Sequence, residues 1–181
     1  MLDLICSLDA EFILWVSENL RNPILSAIFI TITKTGDAGF IFIVVGVLLL
    51  CFSRTRKTGA IFLLALSLNF ILNDLILKEI FERPRPFQSL EMLSALIPAP
   101  PGYSFPSGHT SSAFSCLVTL FFTEKKIAPF ALIYAVLMGF SRVYVGVHYP
   151  SDVIVGAIVG VVCAYLSVFI SKAYKKQFKA V

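Results

Sequence analysis

Long apolar blocks separated by shorter polar ones set the pattern of this chain. A helix that crosses a bilayer needs about 20 predominantly apolar residues, so such blocks are candidate spans. Residues Met1–Leu20 mix the acids Asp3, Asp9 and Glu11 with Phe12, Ile13, Leu14, Trp15 and Val16. That mixture predicts an amphipathic helix lying in the membrane interface. Asn22-Pro23 is a helix-start signal. The run Ile24–Thr33 that follows is short for a crossing and is broken at Gly36-Asp37. Gly39–Phe52 and Gly59–Ile80 are the next spans, and Glu82–Ser107 is a long polar loop that holds most of the prolines. Gly108–Phe122, Ile127–Val147 and Ser151–Ile170 complete the series, the last carrying Gly156 and Gly160 as a GxxxG that permits close helix contact. The expected fold is all-α: a polytopic transmembrane bundle of about six helical segments with an amphipathic N-terminal helix, forming a single domain over residues 1–181.

The polar blocks orient the bundle. Basic clusters lie at Arg54, Arg56 and Lys57, at Lys125 and Lys126, and at Lys172, Lys175, Lys176 and Lys179. Cytoplasmic loops are enriched in Lys and Arg, and these clusters alternate correctly with the spans. The loop Glu82–Ser107 and the turn Tyr144–Pro150 then share the external face. The N-terminus falls inside if the first short span crosses and outside if it does not.

Composition agrees with a membrane protein. Hydrophobic residues make up 57% of the 181 residues, charged residues only 14%, and the mean hydropathy is +0.86. Soluble domains are nearer half apolar and a quarter charged. The net charge of +4 is too small to suggest a nucleic-acid partner. Cys6, Cys51, Cys116 and Cys163 form no CxxC pair and read as packing residues, with neither a disulfide framework nor a zinc site. The N-terminus lacks the basic region of a cleaved signal peptide.

Candidate chemistry gathers at the external ends of three spans. Lys78 closes one, Arg83 and Arg85 follow it, Pro106-Ser107-Gly108-His109 opens the next, and Ser141 to Asp152 links the last two. Both histidines of the chain, His109 and His148, are here. Lys78, Arg85 and Arg142 form a cationic cluster, and the guanidinium fork matches phosphate oxygens. Ser107 and Gly108 stand at a helix start, where free N–H groups and the helix dipole favour an anion. His148 and Asp152 are four residues apart, so the carboxylate can fix the ring's tautomer and raise the basicity of its other nitrogen. His148 is therefore the better nucleophile, and His109, with no carboxylate at such spacing, is the candidate acid. Asp74, four residues before Lys78, is read as its supporting i,i+4 partner. Arg83 is read as a supporting cation with reach to phosphate or a lipid headgroup. No cluster of acids suggests a metal, and no cofactor is expected.

Lys78 with six residues to Arg85-Pro86, then Pro106-Ser107-Gly108-His109, then Ser141-Arg142 with five residues to His148 and three more to Asp152, resembles the three-part signature of the type-2 phosphatidic acid phosphatase family. Every signature position is matched between residues 78 and 152. The resemblance implies that His148 attacks phosphorus and becomes a phosphohistidine, that Asp152 orients it, and that His109 protonates the leaving group and then activates water. It implies that Lys78, Arg85, Ser107, Gly108 and Arg142 hold the phosphate oxygens. It further implies metal-independent hydrolysis of a lipid phosphate or diphosphate at the external face of a bacterial inner membrane. Undecaprenyl diphosphate is the first expectation and a glycerolipid phosphate such as phosphatidylglycerophosphate or phosphatidic acid the second. Transfer of the phosphoryl group to another hydroxyl, and a non-enzymatic anion-binding bundle, are the competing readings.

Overall fold

The structure is a computed structural model that describes residues 2–178, and the side chains of residues 4–173. Among the described residues it is helical, with no strand. Helix α1 (Leu2–Asn19) is followed by α2 (Pro23–Thr35), a start fixed by Asn22, whose side chain accepts the Leu25 N–H at 3.0 Å, and by Pro23 at the first helical position. A short 3₁₀ turn, Asp37–Gly39, leads into α3 (Phe40–Cys51). The helices on either side of that turn meet at 46° and by length and composition qualify together as one bent span, where the sequence pattern suggested two separate segments.

Helix α4 (Arg56–Asn69) runs on through a π-helical stretch, Phe70–Leu77, into α5 (Lys78–Phe81). The short α6 (Pro86–Ser89) lies in the polar loop. Then come α7 (Gly108–Thr123), α8 (Ala128–Tyr144) and α9 (Pro150–Phe178). By length and composition the stretch Arg56–Ser89 and α9 can each cross a membrane, and the bent α2–α3 pair qualifies as a third. Helix α8 is apolar but shorter. With α2–α3 and α4–α5 each counted once and the short α6 left out, α1 and five further segments come close to the expected count of about six.

Helix α7 occupies the middle, packed on α9, α8 and α4. Its Thr110, Ser111, Ser115 and Thr119 are fully buried. Thr119 Oγ1 donates to the Ser115 carbonyl at 2.9 Å and Ser111 Oγ to the Gly108 carbonyl at 3.0 Å, which satisfies hydroxyls that lipid could not. The small side chains let α9 come close. A Cβ on Gly156 would stand 2.7 Å from the Ser107 carbonyl, and one on Gly160 2.9 Å from the Ser115 amide. The GxxxG thus forms the α7–α9 seam. The outer surface carries Phe40, Phe52, Phe70, Phe130 and Phe169, each more than half exposed, as a lipid-facing coat requires.

Helix α1 is not among the helices long and apolar enough to cross. Its Asp9 bonds to Ser151 at the start of α9, and Leu20, just past its end, accepts from the Tyr144 hydroxyl at 3.3 Å. Its inward side buries Ile13 and Val16 against Val143, Tyr144, Val145 and Val147, while Leu4, Leu8, Phe12 and Trp15 stay exposed. That is the arrangement expected of an interfacial helix. It puts the N-terminal helix at the same end of the bundle as the turn between α8 and α9.

Candidate active site

The turn Val145–Tyr149 is the floor of the site, and it is buried almost throughout. Val145, Val147 and Tyr149 anchor it in the apolar cluster under α1. Gly146 adopts φ +84°, open to glycine at little cost, and a Cβ there would meet an Arg21 nitrogen at 2.8 Å. Arg21 in turn donates to the Tyr144 carbonyl at 3.0 and 3.1 Å and to the Ser94 carbonyl at 2.8 Å. The turn is therefore bound both to the N-terminal linker and to the loop after α6, and His148 leaves it in a fixed direction.

His148 is 2% exposed. Its Nδ1 faces Asp152 Oδ2 at 3.5 Å, and its Nε2 stands 3.4 Å from Arg85 Nη1. Burial drives its ring down to about 3; the Asp152 carboxylate pulls the other way, and the Arg142 and Arg85 charges add to the depression. His148 is thus a neutral imidazole across the physiological range, with a lone pair available. Asp152 is fully buried and accepts from the Tyr149 amide at 2.8 Å, from Ser104 Oγ, and from Arg83 Nη1 at 2.6 Å.

The cations differ in how they are held. Arg85, 3% exposed, donates to the carbonyls of Pro101, Gly102 and Val147 at 3.0–3.1 Å, so the proline-rich loop clamps it. Arg142, 1% exposed, donates to Thr33 Oγ1, and its Nε has no hydrogen-bond partner in the protein. A buried guanidinium with an unused donor favours an anion alongside it. Lys78 pairs with Asp74 at 2.5 Å, the i,i+4 contact expected from their spacing. The π-helical stretch contains Asp74 and buries Asn73, whose amide points at the Pro106 carbonyl at 3.4 Å. Wide π turns are frequent at functional sites because they re-aim the residues that follow.

Ser107 caps α7 without exposure, its backbone N–H donating to the Asp152 carbonyl at 3.0 Å and its hydroxyl paired with Thr110 at 2.9 Å. Gly108 is close-packed: a Cβ would meet Asp74 Oδ1 at 2.9 Å. His109, in the first turn of α7, places Nε2 3.0 Å from Asp37 Oδ1. All ten candidate residues named from the sequence lie in this one region.

Arg83, read from the sequence as a supporting cation, is engaged with protein groups. Its two terminal nitrogens bond Asp152, Ser151 and Asp9 at 2.6–2.7 Å, and its guanidinium lies 4.0 Å over the Tyr149 ring. It is a strut behind the Asp152 carboxylate, with both terminal nitrogens bonded to protein. Sequence reasoning missed Asp9, Asp37, Thr33 and Ser104, none of which stands at motif spacing from its partner. The chain offered one weak sign, acids placed in otherwise apolar segments.

A bundle of apolar helices with two histidines and buried guanidinium groups gathered at one end defines a membrane-embedded phosphate enzyme. A family model described as PAP2 superfamily matches residues 58–176, and the chain belongs to that family. It is 37% identical over 145 residues to an undecaprenyl-diphosphatase of Sulfolobus acidocaldarius, covering 80% of this chain and 69% of the relative. It is 32% identical over 146 residues to undecaprenyl-diphosphatase BcrC of Bacillus subtilis, covering 81% and 75%. The crystal structure of a PAP2-type phosphatidylglycerolphosphate phosphatase from Bacillus subtilis superposes with a TM-score of 0.77 at 28% identity, over 96% of this chain and 87% of that one. The protein is an integral membrane phosphatase of lipid phosphates.

Proposed function

We propose that this lipid phosphatase removes the terminal phosphate of undecaprenyl diphosphate at the extracytoplasmic face of a bacterial inner membrane, with the whole chain acting as one catalytic domain. The observation that carries the mechanism is the buried Asp152–His148–Arg85 row, with both nitrogens of His148 assigned a neighbour. His148 Nε2 attacks the terminal phosphorus as the bond to the bridging oxygen breaks. His109 gives a proton to that oxygen, so the lipid monophosphate departs neutralised at the reacting atom. Water then gives a proton to His109 and attacks the phosphohistidine; the P–N bond breaks and inorganic phosphate leaves. Asp152 holds the His148 ring and stabilises its positive charge in the intermediate. Arg85, Arg142, Lys78 and the α7 N-terminus at Ser107 and Gly108 stabilise the charge on the transferring group. The groups proposed to hold the phosphate oxygens are cations and backbone N–H groups, which supports a reaction without metal.

Two similar undecaprenyl-diphosphatases support the diphosphate, and the exposed apolar face of α1 supports a substrate presented at the headgroup plane. The test is phosphate release in detergent with EDTA present, from undecaprenyl diphosphate, phosphatidylglycerophosphate and phosphatidic acid in parallel. Undecaprenyl diphosphate should be turned over fastest, and His148→Ala should cost on the order of 10³-fold or more in kcat. A higher rate on a glycerolipid phosphate would overturn the substrate assignment. Strict dependence on added magnesium would overturn the metal-free mechanism.

A further inference from the structure

The break between α2 and α3 is fitted to His109. Gly36 ends α2, and a Cβ there would meet His109 Cδ2 at 2.7 Å. The next residue, Asp37, brings Oδ1 to 3.0 Å from His109 Nε2. Ala38 and Gly39 then take positive φ angles of 52° and 68°. A non-glycine residue in that region is held there by its surroundings, and such strain gathers at functional sites. The ordinary explanation for an Asp at this position is a helix cap. Neither the 3₁₀ turn nor α3 has a side-chain cap bond, so the Asp37 carboxylate is not used that way.

A carboxylate on Nε2 fixes the ring, assigns the Nε2 proton to the Asp37 side and leaves Nδ1 to face the reacting oxygen. It also favours the imidazolium, the form that can give a proton. We propose that Asp37 is the positioning carboxylate of His109, so that the site is built from two His–Asp pairs: His148 with Asp152 for attack, and His109 with Asp37 for proton delivery. The proposal rests on the phosphatase reading above.

The experiment compares the unaltered chain with Asp37→Asn on two substrates that differ only in their need for an acid. An aryl phosphate with a nitrophenolate leaving group departs without a proton, whereas an alkyl lipid phosphate does not. The ratio kcat/KM reports the steps through leaving-group departure. General acid catalysis contributes roughly 10²–10⁴-fold, so Asp37→Asn should lower kcat/KM at least about tenfold on the alkyl ester and less than about threefold on the aryl one. Asp37→Glu should restore part of the alkyl activity. Nitrogen NMR on ¹⁵N-histidine protein, with only two histidines to assign, gives a second readout: the Nε2–H signal of His109 should move in Asp37→Asn while the Nδ1–H signal of His148 stays. Equal losses on both esters, or none on either, would overturn the proposal alone. No turnover of any phosphate ester by the unaltered chain would overturn the phosphatase reading and the proposal with it.

Discussion

Asp152 is the most heavily bonded carboxylate in the site, and its partners divide by function. The Tyr149 amide fixes it to the turn, Ser104 fixes it to the loop before α7, and Arg83 ties it through Asp9 to α1. Removing Arg83 would leave two buried acids, Asp9 and Asp152, without their cation, a costly state. Arg83→Ala should therefore lower kcat by roughly ten- to a hundredfold with KM changed less than about threefold, because the strut serves the catalytic pair and not substrate binding. A rise in KM with kcat intact would instead make Arg83 a headgroup contact. His148 carries a prediction of its own. Its folded value is depressed to about 3, below the ordinary 6.5 or so of a free histidine, so the unfolded chain binds the extra proton first. The stability that neutral His148 provides is present above about pH 6.5 and is lost as the pH falls from there toward 3. Ring-carbon NMR on phosphate-free protein should show His148 still neutral near pH 5, where roughly nine-tenths or more of a free histidine side chain is already charged. A midpoint near 6.5 would mean that water reaches the ring.

At the scale of elements, the α7–α9 seam links packing to chemistry. Ser107 and Ser111 face Gly156 and Gly160 on α9, and the same Ser107 opens the proposed phosphate cradle. A larger residue in the seam must push the helices apart, and overpacking of this kind costs about 1–3 kcal/mol. Gly160→Leu should lower the melting temperature in detergent, and Gly156→Val should in addition depress phosphate release, because its contact is Ser107 itself. Gly156 and Gly160 were readable in advance because four-residue spacing projects to one helix face whatever the partner. The spans were readable because apolar blocks of bilayer length have few other uses. The signature residues were readable because each group is local in the chain. The partners Asp9, Asp37 and Thr33 were not, since they lie 74, 72 and 109 residues from Arg83, His109 and Arg142. Nor was the π-helical stretch, because its Lys78 N–H bonds the Asn73 carbonyl five residues back, a backbone choice that polarity does not encode.

For the whole molecule, α2 and α3 qualify together as one bent span, which bears on what the hydrophobic blocks left open about the first helix. Helix α2 starts beside Tyr144 at the site end, where the Asn22 amide donates to the Tyr144 hydroxyl at 3.3 Å, and α3 ends where α4 begins. The far end collects Arg54, Arg56 and Lys57 with Lys125 and Lys126, and there Thr58 donates to Glu124 at 3.2 Å. A bundle with its basic loops opposite its histidines should insert with the basic end in the cytoplasm. Glu91 in the site-end loop and Lys126 at the basic end are both exposed, so each can carry a probe. In a chain whose exposed Cys6 and Cys51 are replaced by serine, Glu91→Cys should react with a membrane-impermeant maleimide on intact cells. Lys126→Cys should react only after the cells are opened. The reverse pattern would turn the site toward the cytoplasm. The substrate would then have to come from the inner leaflet, and recycling of a carrier lipid released on the outer face would no longer fit. Labelling of the first position alone also constrains α1: both Asp9 and Leu20 are tied to the site end, so a tag placed before Met1 should lie on the outside as well.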